Sequence, residues 1–235
     1  PRGARPAAAR AEATRSVVGL AAAGPEAPGG PRGAALRLSV VNGNLAFVRQ
    51  PLLVGHYRSM MLTGTEKAVN RLVGGAMQAA LDAGLYPDLA GTHQVFVNTR
   101  ADPDNPWRPP RPVAAVVVGL GEEGKLTEQQ LVASVRQATL AWAQRVAEDP
   151  QQGGFDMELA ATLLGSGGVG GSPSAAARAI AQGVREANER LAANGWPQVR
   201  HLTLVELYLE RASDAWRGLQ VLAVASPERF EVAPT

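Results

Sequence analysis

The stretch MELAATLLGSGGVGGSPSAAARAIAQGVREANERL, residues 157–191, decides the fold. Its opening, MELAATLLG (157–165), is an apolar run of strand length bounded by a glycine-rich turn. Beyond the turn, Ala177, Ile180, Ala181, Val184 and Leu191 recur at helical spacing. Ser172 stands where a helix takes its N-cap, Pro173 where a helix takes proline, and Asn194-Gly195 where it stops. A strand that turns directly into a long amphipathic helix is the repeating unit of an α/β domain.

Further units extend from this one in both directions. HLTLVEL (201–207) reads as a strand, followed by a short helix carrying Ala212, Ala215, Trp216 and Leu219 on one face. Upstream, VAAVVVG (113–119) is a continuous β-branched run of the kind covered on both faces. Thr127 and Gln130 form a capping box for a helix with Leu131, Val135, Ala138 and Trp142 on its buried side, ending before Pro150. LRLSVV (36–41) is a strand ending at Asn42-Gly43, and LAFVRQPLLVG (45–55) carries a second apolar run. Val69, Leu72, Val73, Ala76 and Ala80 predict one helix stopped by Gly84, and HQVFVN (93–98) another strand. The five-proline segment 99–112 predicts a surface loop that offers Trp107 to a partner. The pattern predicts a single α/β domain over 36–235, with helices packed on a mixed sheet, preceded by a flexible Ala/Gly/Pro/Arg-rich linker over 1–35.

Charge and composition narrow the chemistry. Residues 1–37 hold six Arg against two Glu, so the remainder of the chain, with 17 basic and 19 acidic residues, is slightly acidic. The basic excess belongs to the N-terminal segment, and the folded part has no reason to seek a phosphate backbone, so nucleic acid is not an expected partner. The absence of cysteine excludes disulfides, thiolate metal sites and cysteine nucleophiles. The one apolar run near the start, VVGLAAA (17–23), is too short to span a membrane, and a cytoplasmic location is expected. A first residue other than Met is what a fragment or a processed chain shows.

The glycine loop imitates two phosphate-binding motifs. Gly165, Gly167 and Gly170 fit G-x-G-x-x-G, but late in the chain, whereas a dinucleotide fold carries that turn on its first strand. Gly165 to Ser172 also fits a P-loop, with Gly171 where the lysine should stand. Gly119, Gly121 and Gly124 repeat the first pattern around Glu122 and Glu123, whose charges repel a pyrophosphate. Two readings remain open: a tight strand–helix turn, or a loop whose backbone approaches an anion together with free N–H groups near Gly171–Ala175.

At this point a resemblance enters. RLSVVNGNLAFVRQPLLVG, NRLVGGAMQAAL, LLGSGGVGGSPSAAARAIAQGVREANERL and HLTLVELYLERASDAWRGL resemble, in order, the segments of a macro domain. PVAAVVVGLGEEGKLTEQQLVASVRQATLAWA is similar to the macro-like N-terminal domain of leucyl aminopeptidases. Its pairing with GSGGVGG, VELY and RA resembles a domain found beside CHAT-type caspase-like proteases in large bacterial proteins. The resemblance implies a macro-like three-layer α/β fold and, as ligand-binding positions, Asn44, Gly55, Gly74, Gly75, Ser166, Gly167, Gly168, Val169, Gly170, Gly171 and Ser172. It also implies departures. Asn44 stands where ADP-ribose-binding members carry an Asp that holds the adenine amine. Gly55, His56 and Tyr57 occupy the loop where active members hold an Asn that positions the attacking water.

The expected function is a non-catalytic binding or regulatory module, whose partners are neighbouring domains, another protein, or an ADP-ribose-like anion. The alternatives are a nucleotide-binding domain with weak hydrolase activity and a structural docking domain. No cofactor or metal is expected, because His56, His93 and His201 lack ligand spacing. Asp102, Asp104 and Asn105 read as turn formers before calcium ligands, and His56 with Ser59 or Thr63 is a base–nucleophile pair without a supporting motif.

Overall fold

The computed structural model describes residues 34–100, 105, 107–148, 156–167 and 171–233. Most of the linker expected over 1–35, the calcium candidates Asp102 and Asp104, and Gly168, Val169 and Gly170 lie outside the described residues.

Seven strands form one sheet: β1 Leu36–Asn42, β2 Leu52–Tyr57, β3 His93–Val97, β4 Ala114–Gly121, β5 Asp156–Ala161, β6 Gln198–Glu206 and β7 Phe230–Val232. Their order across the sheet is β3-β4-β2-β5-β6-β1-β7. Among them only β3 runs against its neighbour, pairing antiparallel with β4, which makes the sheet mixed. The helices are α1 Gly64–Leu72, α2 Ala76–Asp82, α3 Glu128–Glu148, α4 Pro173–Ala193 and α5 Leu209–Ala225.

The sheet has a core on each face, and strand alternation decides which residue goes where. Leu53, Val116, Val118, Leu159, Leu202 and Leu204 pack under α3, α4 and α5. Leu52, Val54, Val117 and Ala160 pack under α1 and α2. Strand β4 therefore has both of its faces covered, and its Val116, Val117 and Val118 are fully buried. Each contributes roughly 1.5–3 kcal/mol by leaving water.

The caps expected at the long helices are present. The Thr127 backbone N–H donates to Gln130 Oε1 at 2.9 Å and the Gln130 N–H to Thr127 Oγ1 at 3.2 Å. Ser172 Oγ accepts from the Ala175 N–H at 3.1 Å, with Pro173 opening α4.

Four local expectations are corrected. The helix expected from Val69 to Ala80 is two helices, because Gly74 and Gly75 adopt φ of 76° and 89°, a region closed to helical backbone. Met77 is buried there and Ala76 is exposed. Strand β5 ends at Ala161, and Leu163 and Leu164 are buried in the turn that follows, which hydrophobicity alone does not distinguish from more strand. The helix after β6 spans 17 residues rather than a short turn or two. Strand β7, three residues long, had no apolar run to announce it.

Candidate functional site

The site follows from a switch in direction at the carboxyl edge of the sheet. Strands β2 and β5 are parallel neighbours, yet β2 leads to α1 on one face and β5 to α4 on the other. In open α/β sheets such divergence leaves a crevice at the strand ends, where ligands sit. Here the two walls touch, with the Tyr57 hydroxyl donating to the Gly165 carbonyl at 3.2 Å.

On the β2 wall, Gly55 lies inside the strand. A Cβ there would stand 2.7 Å from Leu120 Cδ1 and 3.4 Å from Leu164 Cβ, so packing between core side chains fills the space beside it. The next residue, His56, is only 1% exposed and points the other way, into the α1 layer. Its Nδ1 lies 2.8 Å from Glu66 Oε1, which also accepts from the Tyr86 hydroxyl at 3.1 Å. Glu66 Oε2 accepts from the backbone N–H and the hydroxyl of Thr63 at 3.3 and 3.4 Å. The Tyr86 ring meets the imidazole edge-on, with centroids 4.7 Å apart. His56 Nε2 is buried and has no partner among the described residues. The base–nucleophile pairing of His56 with Ser59 or Thr63 is therefore not assembled. His56 and Thr63 both bind Glu66, and Ser59 Oγ accepts from the Met61 N–H at 3.2 Å.

Burial pushes the Tyr86 phenol far above its ordinary value, and the Glu66 carboxylate pushes it further. Tyr57 is shifted the same way, by burial and then by Glu123. Such phenols stay neutral in the folded chain after they have begun to ionise in the unfolded one. Their full contribution to stability is present below about pH 10 and is lost as pH rises beyond it, at about 1.4 kcal/mol per pH unit for the more deeply buried Tyr86. Urea unfolding between pH 8 and 11 should show this decline, with Tyr86→Phe losing about one group's share of the slope. A variant whose slope matches that of the parent would remove Tyr86 from the account.

On the β5 wall, the loop is closed at its ends. A Cβ on Gly171 would lie 2.5 Å from the Gly165 carbonyl oxygen, so only glycine lets the chain return so near its start. Ser166 is buried, donating to the Leu163 carbonyl at 2.6 Å and accepting from Arg211 Nη2 at 2.6 Å. Arg211 also reaches the Ser166 carbonyl and, through Nε, Glu206 Oε2 at 3.2 Å. Among the described residues, nothing lies within 4 Å of where a Gly167 Cβ would stand.

The start of α4 differs from expectation. Pro173 has no N–H, the Ser174 N–H donates to Asp214 Oδ2 at 3.0 Å, the Ala175 N–H to Ser172 Oγ, and the Ala176 N–H to the Ser172 carbonyl at 3.0 Å. Within the helix, the expected free amides of Ser174 and Ala175 are therefore occupied, the first by a carboxylate from α5. Nothing in the local sequence announces Asp214 or Arg211, because both reach the loop from a helix some 40 residues later.

Of the remaining expected positions, Asn44 follows the carboxyl end of β1 and the two glycines lie elsewhere. Asn44 Oδ1 accepts from the Ala46 N–H at 2.9 Å, capping a 3-10 turn over Leu45–Phe47. Gly74 and Gly75 stand at the opposite edge of the sheet, where Asn98 and Arg100, just past the end of antiparallel β3, bond the Leu72 and Arg71 carbonyls. They belong to the α1–α2 turn and are not near the crevice. His93 is exposed, and His201 Nε2 shares a hydrogen bond of 2.9 Å with Ser39. Trp107 is 93% exposed. No group of three or more His, Asp or Glu suited to a metal ion occurs among the described residues, and no helix among them is long and apolar enough to cross a membrane.

No protein-family model matches the chain. No curated protein matches it. Solved structures do. The Oceanobacillus iheyensis macrodomain with MES bound aligns at 13% identity and a TM-score of 0.54, over 83% of this chain and 96% of that one. A glycine-to-valine mutant of that macrodomain, with ADPR, aligns at 14% identity and 0.53, over 80% and 94%. The Trypanosoma brucei macrodomain in complex with ADP aligns at 10% identity and 0.52, over 78% and 69%. At these identities the likeness is one of architecture, and the chain has the macro-domain fold.

Proposed function

We propose that this chain is a binding module that takes an ADP-ribose-like nucleoside diphosphate at the carboxyl edge of its sheet and does not turn it over. The observation that carries this reading is the meeting of the β2 and β5 loops at Tyr57 and Gly165. The ADPR and ADP recorded with two similar folds support the ligand class. Ser166, Gly167, Gly168, Val169, Gly170, Gly171 and Ser172 are the proposed diphosphate loop, with the Arg211 guanidinium behind it at Ser166. Absence of turnover rests on Gly55, which has no side chain to orient water, and on His56, whose Nδ1 is committed to Glu66.

Calorimetric titration with ADP-ribose tests this reading. Saturable binding is expected, weakened at least tenfold by Gly167→Glu, which adds charge and bulk where a Cβ meets nothing among the described residues. No release of ADP-ribose from a modified peptide is expected. Absence of heat up to about 1 mM ligand, a ceiling of about −4 kcal/mol, would sink the reading.

A second reading rests on Asp214. With its carboxylate already on the Ser174 N–H, the same edge docks a neighbouring domain of a larger protein instead of a free anion. The resemblance of residues 112–143 and 165–212 makes a CHAT-type protease in a cytoplasmic bacterial protein the neighbour we propose.

A further inference from the structure

One buried carboxylate holds both ends of the segment that builds the β2 wall of the crevice. His56, just before that segment, has its Nδ1 2.8 Å from Glu66 Oε1. Thr63, just after it and at the head of α1, donates its backbone N–H and its hydroxyl to Glu66 Oε2 at 3.3 and 3.4 Å. Residues 57–62 therefore leave and return at the same side chain. Between those ends Leu62 is buried, the Arg58 N–H donates to the Gly121 carbonyl at 2.8 Å, and the Tyr57 hydroxyl reaches the Gly165 carbonyl on the facing wall. Met60 and Met61 stay exposed.

A helix cap needs only the Thr63 half of this arrangement. The His56 half ties the end of β2 to the start of α1, and so closes the segment on itself. Glu66 is 4% exposed and both of its oxygens are taken by donors of the chain, so its effect on anything in the crevice passes through the segment. Groups that line a site keep their geometry only where bonds behind them lock it.

We infer that Glu66 is a positioning residue for the crevice: by bonding His56 and Thr63 at once it fixes the 57–62 segment, and with it the contact of Tyr57 on the glycine loop, in the shape that takes the ligand. This role rests on the ADP-ribose reading. Tyr86 separates it from general support of the fold, because its hydroxyl donates to the same carboxylate yet touches neither end of the segment. Closure of the loop and stability of the layer beneath it are thus open to separate substitutions.

Glu66→Gln and Tyr86→Phe, both in the full chain, make the test. The amide has one accepting oxygen, which can serve His56 or Thr63 but not both, and its NH2 group meets donors at the other end. Backbone NMR order parameters over Arg58–Leu62 report motion within the folded chain whatever its global stability. They are expected near about 0.85 in the parent and in Tyr86→Phe, and below about 0.6 in Glu66→Gln. Calorimetric affinity for ADP-ribose should fall about fivefold or more in Glu66→Gln and stay near that of the parent in Tyr86→Phe. Four results would each overturn the role: a segment already mobile in the parent, one still ordered in Glu66→Gln, an unchanged affinity in that variant, or an equal loss in Tyr86→Phe. A parent that binds no ADP-ribose sinks the function and this role with it, whereas a parent and a Glu66→Gln chain that bind equally sink the role alone. If Glu66→Gln does not fold, Thr63→Ala carries the same comparison, since Thr63 is exposed and the change removes a donor from one end of the segment.

Discussion

Glu66→Leu is expected to destabilise the fold by about 2–6 kcal/mol, at about 1–3 kcal/mol for each of the two buried groups, imidazole and phenol, left without a partner. The loss is large because four donors converge on this carboxylate: His56, Tyr86 and both donors of Thr63. Leucine fills the volume but leaves the imidazole and the phenol buried with nothing to accept from them. Denaturant unfolding gives the value directly. His56→Phe added to Glu66→Leu should recover part of the loss, since the second change removes one of the orphaned groups. A cost below about 1 kcal/mol would mean that water reaches the network and that the burial of His56 and Glu66 is not maintained in solution.

Gly218→Leu is the second change with a large expected effect. A Cβ at Gly218 would stand 2.6 Å from the Ser174 carbonyl oxygen and 2.8 Å from its Cα, so α5 lies directly on the first turn of α4. Backbone atoms cannot swing aside as a side chain can, and overpacking of this kind costs about 3 kcal/mol. For a chain of this size that is a fall in melting temperature of about 6–12 °C. The contact that loosens is also the one that brings Asp214 to the Ser174 N–H, so the Ser174 amide should exchange faster in the variant. A melting temperature within about 2 °C of the parent would show that the two helices separate without cost.

Much of the architecture was legible in residue order. VAAVVVG announced a strand covered on both faces because only such a strand tolerates an unbroken β-branched run. The caps at Thr127 and Ser172 were legible because capping is local: donor and acceptor lie within three residues of one another. The break at Gly74-Gly75 was hidden inside an apolar period that continues through it, and β7 was too short to have a period. The candidate site was legible only as a pair of loops. Thr63 and Glu66 stand at capping-box spacing, but that spacing does not tell that Tyr86 and His56 close on the same carboxylate. Asp214 and Arg211 have no signature near the loop they serve, since the fold alone brings α5 to it. The two glycines of the α1–α2 turn were assigned by similarity of a short segment, and strand direction gave them another place, while Asn44 caps the turn just past the carboxyl end of β1.

The carboxylate of Asp214 at the head of α4 makes that position a matter of competition. A tethered group next to its partner acts at an effective concentration on the order of millimolar or above, without ever leaving the chain. A free phosphate must displace it there, so the threshold for anions at Ser174 is set by how firmly α5 lies on α4, at Gly218, rather than by the glycine loop alone. The relation runs both ways: an anion that took the amide would loosen α5 by the same free energy with which α5 resists it.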